Sequence, residues 1–104
     1  MSDVAPGTDR ATEDAPPSRT LRVVNRKGLH ARASAKFVET VGRFDAAVLV
    51  EKDDEEVSGD DLLGLLMLAG SCGSTITVSA VGTDATEALD AIETLVTGGF
   101  GETD

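Results

Sequence analysis

The chain has 104 residues, a formal net charge of −10, one histidine and one cysteine. A lone cysteine excludes an internal disulfide, and one His with one Cys leaves no His/Cys metal site. Scarce lysine (Lys27, Lys36, Lys52) in an acidic chain argues against a nucleic-acid surface, which needs clustered cations. The longest apolar run, Leu62 to Gly70, falls far short of the roughly 20 residues that span a bilayer. A cytoplasmic protein is expected, with no membrane segment and no nucleic acid as partner. The acidic balance reads either as an ordinary solvated surface or as an adaptation to a high-salt cytoplasm.

Residues 1–19 hold all three prolines and few apolar side chains. They cannot bury enough surface to offset ordering, so they are read as a disordered N-terminal tail. Residues 20–104 then form one small domain. Arg19 to Val24 reads as a strand, closing on the turn Asn25-Arg26-Lys27-Gly28. A helix begins near His30, with Ala35, Phe37, Val38 and Val41 on its apolar face and Gly42 as a left-handed stop. Phe44 to Glu51 alternates as a second strand, and a hairpin leads to a short third strand near Glu55 to Val57.

Ser58, Asp60 and Asp61 are candidate caps for a second helix, Asp61 to Ala69, with Ser58 and Asp61 spaced as a capping-box variant. That helix is apolar nearly all round, so it cannot bury every side chain. Leu65 and Leu68 are assigned to the core, with Leu62 at the border. Leu63, Leu66 and Met67 are expected outside, where an apolar patch marks a partner surface. Ser74 to Val81 alternates as a fourth strand with Ile76, Val78 and Ala80 inward. Asp84, with Glu87 in reciprocal position, caps a last helix that buries Ala88, Leu89, Ile92, Leu95 and Val96. The order βαββαβα gives an α+β fold. It is an open-faced β-sandwich: a four-stranded antiparallel sheet with three helices on one face.

Chemistry concentrates at Gly28-Leu29-His30-Ala31-Arg32. His30 follows a glycine turn and opens a helix, beside unpaired backbone N–H groups and the positive end of the helix dipole. That setting suits an added phosphoryl group and favours a neutral ring whose lone pair can attack phosphorus. Arg32 is a cation where a helix disfavours one, which makes sense if it meets an anion.

The run NRKGLHARASAKFV resembles the phosphohistidine signature of the histidine-containing phosphocarrier proteins (HPr) of the sugar phosphotransferase system, usually Gly-Leu-His-Ala-Arg-Pro. The likeness extends over about Thr20 to Glu102, including the Leu-Leu-Gly-Leu-Leu-Met-Leu helix, the Ile-Thr-Val-Ser-Ala strand and the Thr-Asp-Ala-Thr-Glu-Ala-Leu helix. It implies a phosphocarrier rather than a self-standing enzyme, with no cofactor. Enzyme I, charged by phosphoenolpyruvate, would phosphorylate His30 on Nδ1. The group would pass to the EIIA component of a sugar permease, with Arg32 contacting the phosphate in transit.

The resemblance also implies that the second helix, through Leu62, Leu63, Leu66 and Met67, docks both partners. A monomer is expected. Two positions depart from the family pattern. Ala33 stands for the usual proline, restoring an N–H donor. Asp61 stands at the position of the serine that some members use for regulation; it cannot accept a phosphoryl group but still caps the helix. The competing reading is an HPr-like regulatory module acting through docking at the second helix.

Overall fold

The computed structural model describes residues 15–68 and 70–102. The elements run β1 (Ser18–Arg22), α1 (Ala31–Val41), β2 (Ala47–Lys52), β3 (Glu55–Ser58), α2 (Leu62–Leu68), β4 (Thr75–Val81) and α3 (Ala85–Thr97), closed by a 3-10 turn, Gly99–Gly101. The four strands form one antiparallel sheet in the order β1-β4-β2-β3. The expected open-faced α+β architecture is the one observed. Residues 1–14 of the expected tail lie outside the described residues. Ser18 and Arg19, assigned to that tail, are in β1.

Alternation decides which sheet face is covered. Ile76, Val78 and Ala80 are buried along β4, opposite Leu21, Val50 and Val48 on neighbouring strands. Phe37 of α1, Leu65 and Leu68 of α2, and Ala88, Leu89, Ile92 and Val96 of α3 complete the core. Each fully buried large side chain contributes about 1.5–3 kcal/mol over its exposed state. Arg19 ties β1 to α3 through Asp90 at 2.6 Å and Glu93 at 2.9 Å. The β2–β3 hairpin turns on Asp53 and Asp54, both at positive φ (53° and 69°). Two such residues match the right-handed strand twist, and aspartate tolerates the conformation better than most.

Several local expectations are corrected. Ala35 is exposed, and α1 instead buries Ala33, Ser34 and Thr40 beside Phe37 and Val41. Ser34 is accommodated because its hydroxyl donates to the Leu29 carbonyl at 3.1 Å. Gly42 ends α1 in a right-handed conformation (φ −66°), so a left-handed stop is not used. Asp61 does cap α2, accepting the Gly64 N–H at 3.0 Å, but Ser58 turns to Asp60 instead of forming a capping box. Asp84 sits at the start of α3 without capping it; its carboxylate accepts the Asp45 N–H at 2.8 Å and ties that end to the start of β2. Ala69, the expected end of the second helix, lies outside the described residues. No helix among the described residues is long and apolar enough to cross a membrane.

Candidate functional site

The turn after β1 is built to present one side chain. Asn25 is buried, and its amide donates to the Gly28 carbonyl at 2.8 Å, closing the turn. Gly28 has φ +64°, and a Cβ there would lie 2.2 Å from the Gly70 carbonyl oxygen. Only glycine lets the two backbones approach so closely. The Leu29 N–H then donates to that same oxygen at 2.7 Å. Leu29 is buried, and the chain enters α1 with His30 as its N-cap.

His30 caps with its ring. The Arg32 N–H donates to Nδ1 at 3.3 Å. A nitrogen that accepts carries the lone pair, so the proton belongs on Nε2. Nε2 faces the carboxylate of Glu102, which receives it as a hydrogen-bond acceptor. Glu102 accepts a second hydrogen bond, from the Asn25 amide at 3.1 Å. The hydrogen bond from His30, followed by that from Asn25, holds the Glu102 carboxyl below its ordinary value of 4.5 despite desolvation. The site is therefore a chain of three side chains, Asn25–Glu102–His30. It ends in an Nδ1 lone pair at the head of an 11-residue helix.

Around that lone pair, the first turn offers the N–H groups of Ala31, Arg32 and Ala33, which lack carbonyl partners within the helix. Ala33 supplies a donor that proline would not. The Arg32 side chain is exposed and makes no ion pair among the described residues. Arg26, Lys27, Arg32 and Lys36 fall within eleven residues of sequence about His30, whereas no Lys or Arg follows Lys52. The site is thus the cationic part of an acidic chain. No group of three or more potential metal ligands is present among the described residues.

The second helix divides as its composition demands. Leu65 and Leu68 are buried, while Leu62, Leu63 and Met67 are 42%, 66% and 73% exposed. Leu66 is half-buried, and Leu62 lies on the outer side. The loop after α2 touches the site turn through Gly70 and Leu29.

The family described as "PTS HPr component phosphorylation site" matches residues 17–98. The chain belongs to the HPr family. Its similarity to the phosphocarrier protein HPr of Neisseria meningitidis serogroup A is 42% identity over 84 residues, 81% of this chain and 94% of that one. The phosphocarrier protein NPr of Shewanella violacea is also 42% identical over 84 residues, covering 81% and 92%. Among solved structures, HPr of Thermoanaerobacter tengcongensis superposes with a TM-score of 0.81 at 36% identity, over 85% of this chain and 99% of that one. HPr proteins are phosphocarriers rather than enzymes, and the family places the chain in the context of the phosphotransferase system.

The local motif singles out His30 and Arg32, whereas Glu102 and Asn25, which the structure brings to the His30 ring, are not signalled by it. Glu102 lies 72 residues from His30 in the chain, and nothing in a local motif could signal that contact. Asn25 carries only a turn signal in the sequence.

Proposed function

We propose that His30 accepts a phosphoryl group on Nδ1 from phospho-Enzyme I and passes it to an EIIA component of a sugar permease. One observation carries this reading. The Nδ1 lone pair lies at the N-terminus of α1, held there by the Arg32 N–H, while the ring proton is engaged on the opposite nitrogen. The free N–H groups of the first turn can receive phosphoryl oxygens, and the helix dipole favours the negative charge they bring. Arg32 supplies a guanidinium that neutralises charge in transit. A carrier must release what it accepts, and a shallow site with a few donors serves that better than a closed cage.

In this reading Leu62, Leu63, Leu66 and Met67 form the contact shared by donor and acceptor. Flexible Leu and Met side chains adapt to two partners in turn. Asp61 keeps a permanent negative charge at the start of α2, so that position has no serine switch. The carrier works as a cytoplasmic monomer, in one domain preceded by an N-terminal tail.

Incubation with Enzyme I and phosphoenolpyruvate tests the proposal. One acid-labile phosphoryl group should appear on the wild-type chain and none on His30→Ala. Full labelling of His30→Ala would refute the site.

A further inference from the structure

The segment after α3 places a bulky side chain in a backbone conformation that such residues rarely adopt. Gly99, Phe100 and Gly101 are all left-handed, at φ +69°, +59° and +75°. Phe100 is a bulky residue in a region that side chains avoid. It is held there by burial, being 1% exposed, and by Lys36, whose ammonium donates to the Phe100 carbonyl at 2.7 Å. The result is a strap that doubles back and sets the Glu102 carboxylate against His30 and Asn25. Local strain fixed by its surroundings is a device for placing a side chain.

We propose that Glu102 is a positioning residue for phosphoryl transfer: it holds the Nε2–H of His30 and so keeps the lone pair on Nδ1. This rests on the phosphocarrier reading above. In the forward step the Nδ1 lone pair forms the N–P bond as the bond between phosphorus and the phosphorylated donor protein breaks. That bond's electron pair leaves with the donor. The ring keeps its proton on Nε2 and becomes positively charged, and the adjacent carboxylate offsets that charge. In the onward step the N–P electron pair returns to Nδ1 and the ring is neutral again. Glu102 acts through the ring and never touches phosphorus, and Asn25 fixes its orientation. The other tautomer, with the proton on Nδ1, has no nucleophile facing the helix.

The test pairs a spectroscopic and a kinetic readout on the full chain. Nitrogen-15 shifts of the His30 ring report the tautomer, and single-turnover labelling by Enzyme I reports the rate. Wild type should show Nε2–H. Glu102→Gln, which keeps the volume but can itself donate, should shift population toward Nδ1–H and slow labelling roughly tenfold, the worth of one charge-assisted hydrogen bond. Glu102→Asp should recover part of both. An unchanged tautomer and rate in Glu102→Gln and Glu102→Ala overturns the proposal. So does a slower rate with an unchanged tautomer, which marks a merely structural role. Labelling retained by His30→Ala overturns the phosphocarrier reading and this proposal together. Labelling confined to His30 but indifferent to Glu102 overturns this proposal alone.

Discussion

Replacing Gly28 by alanine should cost more than any other single methyl added at a glycine of the described chain. The Cβ would meet the Gly70 oxygen at 2.2 Å and the Ser71 Cα at 2.9 Å. Both are backbone atoms, so no rotamer change relieves the clash. The position also has φ +64°, which costs a residue with a side chain about 1–2 kcal/mol. Moving the Gly70 carbonyl breaks the hydrogen bond from the Leu29 N–H, about 1 kcal/mol more. The sum is about 2–3 kcal/mol. For a domain of this size each kcal/mol lowers Tm by roughly 4–8 °C, so Tm should fall by about 10–25 °C.

Two controls bracket the effect. Gly73 has φ +90° but nothing within 4 Å of the added carbon, so Gly73→Ala should lose only the backbone contribution of about 1–2 kcal/mol. Gly42 is right-handed, with its nearest neighbour at 3.5 Å, so Gly42→Ala should be neutral or slightly stabilising. Thermal melts followed by circular dichroism give the ranking. A Gly28→Ala protein that melts with wild type, or no lower than Gly73→Ala, refutes the claim that this crossing sets the site turn.

The other predictions concern single interactions. Asp61→Ala removes the acceptor for the Gly64 N–H and should destabilise by about 1 kcal/mol in urea titration, as loss of an N-cap does. Leu63→Glu changes a side chain that is 66% exposed, so Tm should move little while labelling by Enzyme I weakens; loss of folding instead would place Leu63 in the core. Glu102 has a folded pKa below its ordinary 4.5. It therefore contributes stability above 4.5 that is lost as pH falls through the lower folded value. Urea midpoints measured from neutral pH to well below 4.5 should decline more steeply for wild type than for Glu102→Gln.

What the sequence disclosed follows the range of each signal. Alternation in β4 and the apolar stripe of α3 are short-range patterns: Ile76, Val78 and Ala80 are buried as expected, and so are Ala88, Leu89, Ile92 and Val96, whereas Leu95 is only half-buried and Ala85 is buried in addition. The split of α2 into Leu65 and Leu68 inside and Leu63 and Met67 outside follows from an apolar wrap too wide for one face. Errors arise where a polar side chain has two uses. Asp84 has the spacing of a cap, but the Asp45 N–H, 39 residues away, claims its carboxylate. Ser34 and Thr40 look like surface residues until tertiary packing covers them. The same limit governs the site. His30 and Arg32 sit in one local motif, whereas Glu102 reaches the ring only because Phe100 and Lys36 fold the strap back.

The central claim is that Nδ1 of His30 carries the phosphoryl group. The direct measurement is a nitrogen–phosphorus NMR correlation on the nitrogen-15-labelled chain after charging by Enzyme I and phosphoenolpyruvate. The account predicts one phosphorus coupled to Nδ1, with the proton still on Nε2. Phosphorus coupled to Nε2, or to no nitrogen of His30, would contradict it.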